Sequence, residues 1–156
     1  AAPVVDLGAA IDRYAVLAGG GFGGLAATAR EQLTRALASG SIAPEGAPTG
    51  APTLCHGDPT PGNFILGSGG DLQLIDWEYA GLCQPAFDVA GLAVGAELEP
   101  DQVDLLLATY QGRPPTSSDL LRHRTWEALC RSVGALWEAA LSKTEHQPGQ
   151  RFTPAN

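Results

Sequence analysis

Apolar residues follow two different rhythms along this chain. In residues 1–39, Leu25, Ala26, Ala29, Leu33, Ala36 and Leu37 recur at helical spacing, with Arg30, Glu31 and Arg35 elsewhere on the wheel. That segment reads mostly as helix, and Gly40 is its stop. Residues 40–53 are rich in Pro, Gly, Ala and Thr and read as a loop or linker. The rhythm then changes. Phe64-Ile65-Leu66 and Leu72-Gln73-Leu74-Ile75 are short apolar runs around a glycine-rich connection at residues 67–71, which predicts a β-hairpin. Thr53-Leu54-Cys55 is a candidate for a further short strand.

The helical period returns afterwards. Pro85, Ala86, Phe87 and Asp88 lead into an apolar stretch at 89–94. Pro100 suits the first turn of a helix carrying Val103, Leu106, Leu107 and Tyr110, which Gly112 and Pro114-Pro115 break. Thr116-Ser117-Ser118-Asp119 resembles a capping sequence. From there Leu120, Trp126, Leu129, Val133, Leu136, Trp137, Ala140 and Leu141 predict one long amphipathic helix. Residues 146–156 read as a loose tail. The expected fold class is α+β, mostly helical, with a small β-hairpin.

Composition narrows the function. Lys and Arg number 9 against 17 Asp and Glu, a formal charge of -8. Such a chain repels a phosphate backbone, so small cations are better candidate partners than nucleic acid. Hydrophobic residues make up 44%, enough for a packed core. No apolar run reaches membrane-spanning length, and no signal peptide is expected from the N-terminal residues. Cys55, Cys83 and Cys130 lack CxxC spacing, which argues against a disulfide framework or a zinc site and fits the cytoplasm. A chain with no methionine, even at position 1, is expected to be a fragment or a processed product that starts upstream.

The candidate chemistry lies in His56-Gly57-Asp58-Pro59-Thr60-Pro61-Gly62-Asn63 and in Leu74-Ile75-Asp76-Trp77-Glu78. A loop stiffened by proline can point Asp58 and Asn63 into one site. The hairpin then returns Asp76 to the same end. Two carboxylates and an amide oxygen are hard ligands that suit Mg²⁺ beside substrate phosphates. Phosphoryl transfer needs such a set, with one group to take the acceptor's proton and others to hold metal. His56, Asp58 and Asn63 share the spacing of the kinase catalytic loop H-R-D-x-x-x-x-N, and Asp76 sits at a strand end where a second metal-binding Asp belongs.

HGDPTPGN, LIDWEYAG and PAFDVA together resemble the aminoglycoside phosphotransferase and choline kinase superfamily, with IDWEYA closer to its choline, ethanolamine and thiamine kinase branch. The resemblance implies the C-terminal lobe of a protein-kinase-like fold, in which the small hairpin carries the catalytic loop. It implies Asp58 as catalytic base, Asn63 and Asp76 as Mg²⁺ ligands beside ATP, His56 as a structural prop, and Asp88 as a buried carboxylate bracing the catalytic-loop backbone. Gly134-Ala135-Leu136-Trp137 is similar to the tryptophan-bearing helix of the choline pocket.

Plainer readings stand beside these. Trp126 and Trp137 share a helical face, which suits core packing as well as a cation–π wall for a cationic ligand. Glu78 is a candidate metal or substrate contact or an exposed acid. Cys55 reads as a small buried filler. His123 and His146 have no partner spacing. GGGFGG at 19–24 matches G-x-G-x-x-G but lacks the strand and acid of a dinucleotide site and the lysine of a kinase loop, so it reads as a flexible helix–helix turn. The sequence has a lysine only at Lys143, and residues 1–52 do not look like a nucleotide-covering β lobe. The expected organisation is a helical segment and linker at 1–52, a catalytic-lobe core at 53–145 and a tail at 146–156. The expected function is transfer of the ATP γ-phosphate to a hydroxyl of a small cationic alcohol such as choline, ethanolamine, thiamine or an aminoglycoside. An upstream lobe or a dimer partner would cover the exposed inter-lobe face. The alternative is an inactive remnant or binding module.

Overall fold

A computed structural model describes residues 3–40 and 53–144. Most of the linker expected at 40–53, the tail expected at 146–156 and His146 lie outside the described residues. Helix α1 spans Leu7–Ala18 and is capped by Asp6, whose Oδ1 accepts from the Ala9 amide at 2.8 Å. Helix α2 spans Gly23–Ala38. The glycine run between them forms a 3-10 turn at Gly20–Phe22, and its last two glycines open α2. The break falls at Gly19, whose φ of 79° is left-handed and favours glycine.

The β residues form two separate ribbons. Strand β1 (Thr53–Cys55) pairs antiparallel with β4 (Gly81–Cys83), and β2 (Phe64–Leu66) pairs antiparallel with β3 (Leu72–Leu74). Strand β2 has the expected limits, and β3 ends one residue earlier than expected, at Leu74 rather than Ile75, because Asp76 turns the chain away. Strand β4 has no counterpart in the sequence reading, because Gly-Leu-Cys carries little strand preference and its partner lies far away in the chain. The N-terminal residues extend this ribbon: Val5 N–H donates to Leu82 O at 2.9 Å, and Leu82 N–H to Pro3 O at 2.7 Å.

Helices α3 (Ala86–Gly95), α4 (Pro100–Gln111) and α5 (Ser117–Thr144) follow, where the apolar period places them. Pro100 opens α4 beneath a Glu99–Gln102 capping box. Thr116 and Asp119 cap α5 reciprocally, with Thr116 N–H donating to Asp119 Oδ2 at 2.8 Å and Asp119 N–H to Thr116 Oγ1 at 3.2 Å. Arg113 adds a hydrogen bond and holds the Asp119 carboxyl well below its usual range. Helix α5 is the spine, and α1, α2 and α3 pack on it. Their shared core contains Ile11, Tyr14, Ala29, Ala90, Trp126, Leu129 and Leu136. Among the described residues, no helix is long and apolar enough to cross a membrane.

Candidate active site

The site is built where β1 runs into the loop before the hairpin. His56 is buried, and both ring nitrogens are engaged. Its Nε2–H donates to Ile75 O at 2.8 Å, and its Nδ1 accepts from Asp58 N–H at 3.2 Å. This pairing assigns the Nε2-protonated tautomer and leaves no ring nitrogen to shuttle protons. The ring also meets Trp77 edge-on at 4.8 Å. His56 thus ties the loop to the chain just before Asp76.

Asp88, in the first turn of α3, aims both carboxylate oxygens at the loop. Oδ2 accepts from His56 N–H at 2.6 Å and Oδ1 from Gly57 N–H at 3.0 Å. Bonds of this charged kind are stronger than neutral ones. The side chain is half-buried rather than fully buried. Gly57 makes the turn possible. Its φ is +87°, and a Cβ there would lie 2.5 Å from Tyr79 O, so both conformation and space exclude a side chain.

Beyond Asp58, a 3-10 turn at Pro61–Asn63 closes with Asn63 N–H donating to Thr60 O at 2.9 Å. The Asn63 side-chain Nδ2 donates to Asp58 O at 2.8 Å and to Asp58 Oδ2 at 3.0 Å. The amide oxygen therefore faces away from those bonds, and Asp58 Oδ1 accepts no hydrogen bond among the described residues. Ile75 N–H donates to Asn63 O at 2.9 Å, extending the hairpin ladder by one pair. Asp76 follows directly. Its φ of 64° and ψ of 59° are left-handed, a conformation that Asp tolerates better than most residues but that still costs roughly 1 kcal/mol. That residue turns the chain out of β3 into a 3-10 turn at Trp77–Tyr79. Loop and hairpin thus bring Asp58, Asn63 and Asp76 to one end of the ribbon.

Glu78 and Trp77 are exposed in that turn. Tyr79 is half-buried; burial raises its phenol pKa first, the Glu78 charge raises it further, a hydrogen bond from Trp137 lowers it, and Tyr14 and Asp58 add smaller upward effects. The tyrosine thus meets Trp137 on α5 through a hydrogen bond and lies within the electrostatic reach of Glu78 and Asp58. Sequence reasoning passed over it, although it lies within the IDWEYA motif. Trp126 is a core residue, edge-on to Phe87 at 6.1 Å, whereas Trp137 is partly buried against that core. Cys55 is buried and shares a hydrogen bond with Cys83, which is the largest cause raising its thiol pKa; burial pushes Cys130 up to about 12. Neither behaves as a nucleophile.

The donor set fits a Mg²⁺ ion that keeps most of its waters. Asp76 offers a carboxylate, and Asn63, its Nδ2 already committed, offers an amide oxygen. No group of three His, Cys, Asp or Glu residues stands ready for a metal among the described residues, so the rest of any coordination sphere falls to water and phosphate.

The arrangement of a proline-stiffened loop, a hairpin and a helical spine is that of the mostly helical lobe of a kinase-like fold. The sequence pattern of the phosphotransferase enzyme family matches residues 9–129, and the chain belongs to that family. Protein LicA of Haemophilus influenzae is 45% identical over 56 residues, which is 36% of this chain and 21% of that protein. A choline/ethanolamine kinase family protein from Mesorhizobium loti matches the structure with a TM-score of 0.71 at 25% identity, over 96% of this chain and 50% of that one. Choline kinase LicA from Streptococcus pneumoniae matches with a TM-score of 0.69 at 22% identity, again over 96% and 50%. A structure of LicA in complex with AMP gives 0.68 at 22% identity, over 93% of this chain and 48% of that one. The chain spans about half the length of these solved proteins, and the matched segment is about a fifth of the Haemophilus protein.

Proposed function

We propose that this chain is the catalytic lobe of a small-molecule kinase that transfers the γ-phosphate of ATP to a hydroxyl of a small cationic alcohol. The observation that supports it most is the bond from Asn63 Nδ2 to Asp58 Oδ2, made on a hairpin that delivers Asp76 to the same end. Asp58 is the base. With Oδ2 held by Asn63, Oδ1 is left to accept the proton of the attacking alcohol. Asn63 and Asp76 would hold Mg²⁺, which would supply neutralisation of the charge that develops on the transferred phosphate. His56 and Asp88 keep the loop in shape. Glu78, Tyr79 and Trp137 form the acceptor side, where a carboxylate and aromatic faces favour a cation. The choline and ethanolamine kinases among the similar structures support that acceptor class. Free thiols at Cys55, Cys83 and Cys130 suit the reducing cytoplasm.

The hairpin gives this reading a further consequence. Ile65, Leu66 and Leu72 are 48%, 70% and 64% exposed, on a pair of three-residue strands that cannot be stable alone. The solved relatives have another half-chain, and a nucleotide-covering lobe of that kind is the natural cover for this face. A non-catalytic binding module is the second reading. It is favoured by the position of the chain's lysine, Lys143, in the last turn of α5 rather than beside the loop.

The test measures ATP consumption with choline, ethanolamine, thiamine and an aminoglycoside, for this chain alone and together with whatever its gene encodes ahead of Ala1. Phosphorylation of one alcohol, much faster with the longer form, is expected. Calorimetric binding of an acceptor with no turnover in either form would replace the kinase reading with the binding module.

A further inference from the structure

We propose that Gly95 is a positioning residue for the loop that carries Asp58, because the space where its side chain would stand is the seat of Thr60. The inference rests on the phosphotransfer reading above and deepens it. Helix α3 holds the loop at two points. Near its start, Asp88 bonds the His56 and Gly57 amides. At its last residue, a Cβ on Gly95 would meet Thr60 Cγ2 at 3.1 Å, Thr60 Cα at 3.5 Å and Pro61 Cδ at 3.5 Å. Two points seven residues apart on a helix are separated by about 10 Å of axis, and Asp58 lies on the loop between them. Gly95 is not in a left-handed conformation, so its own backbone does not require glycine. Alanine would be the better helix former there. What glycine provides is room.

The consequence runs through bonds already described. Thr60 O accepts the Asn63 amide at 2.9 Å, and the Asn63 side chain orients Asp58 Oδ2. A methyl group on Gly95 pushes Thr60 by a few tenths of an ångström, and the shift passes to Asn63 and then to the base. A misplacement of about 1 Å costs about 100-fold in rate. Gly95→Ala is therefore expected to lower kcat about three- to tenfold, with little change in the acceptor KM and a Tm equal to or above that of the parent. Thr60→Ser deletes the methyl that the new Cβ meets.

The experiment compares the parent, Gly95→Ala and the double variant with Thr60→Ser. It reads kcat, KM, Tm and the ¹⁵N–¹H resonances of the Asn63 side-chain amide. Support is a fall in kcat with a shifted Asn63 resonance, both restored in the double variant. Parental kcat with an unmoved resonance overturns the proposal, and so does a fall that Thr60→Ser does not rescue. If the parent turns over no alcohol, the kinase reading fails by itself. The Asn63 resonance and its rescue then decide the seat without it.

Discussion

The helical body and the ribbon end of this molecule are held together by different physics. In the body, Ile11, Leu129 and Leu136 are fully enclosed, and α1, α2 and α3 share one core on α5. In the ribbon, strands are three residues long, apolar side chains such as Leu66 face outward, and shape comes from hydrogen bonds and from glycine and proline sterics. The candidate site residues Asp58, Asn63 and Asp76 sit at the ribbon end, outside the buried core, and helix α3 touches the loop through Asp88 and Gly95. A site built this way can hold Asp76 in a left-handed backbone because the body supplies the stability elsewhere.

If that division is right, variants on its two sides fail differently. Asp58→Ala should lower phosphotransfer about 10²- to 10⁴-fold, the usual contribution of a general base, while the melting temperature barely moves. Retained turnover would remove Asp58 from the role of base. Leu129→Ala should do the reverse. It opens a cavity in the core and costs about 2–5 kcal/mol of stability, seen in urea denaturation, with any activity loss following the folded fraction. Asp88→Ala tests the join. It leaves two loop amides without their acceptor, at about 1–3 kcal/mol, and should affect loop amide exchange as well as activity. Exchange unchanged at His56 and Gly57 would break the proposed link.

The smallest effect is on pH. His123 is buried in the body, and burial lowers its pKa below the ordinary 6.5, while Glu127 pulls it up less strongly, its Oε1 3.7 Å from Nε2. The unfolded chain therefore takes up the proton more readily than the folded one. The stability from keeping this ring neutral is complete above 6.5 and is lost as pH falls below it. Melting curves between about pH 7.5 and 5.5 should show that decline, and His123→Gln should flatten it, leaving the ribbon's chemistry unchanged.

What could be read from residues alone was what depends on near neighbours. The apolar period located α3, α4 and α5, and the glycine-rich connection located the β2–β3 hairpin, because helices and tight turns are set within a few residues. The spacing of His56, Asp58, Asn63 and Asp76 was legible for the same reason. His123 does have a partner at helical spacing, contrary to expectation: Glu127 lies at its i+4 position. The packing of Gly95 under Thr60 had a weaker trace: Asp88, Gly91 and Gly95 recur at helical spacing, although a Cβ on Gly91 would stand at an ordinary contact distance of 3.5 Å from Pro59 Cδ.

The rest needed the folded chain. Strand β4 exists because Thr53, Leu54 and Cys55 lie opposite it, and the bonds from His56 and Gly57 to Asp88 join residues 32 and 31 positions apart. Local sequence singled out the candidate side chains and determined most of the segments that coil or extend, with β4 as the exception. Only tertiary contact decided how the loop is held, which nitrogen of His56 carries the proton, and that Tyr79 meets Trp137. The reason is that a hydrogen bond or a steric stop acts between whichever atoms the fold makes adjacent, and adjacency across thirty residues is not written in the spacing of neighbours.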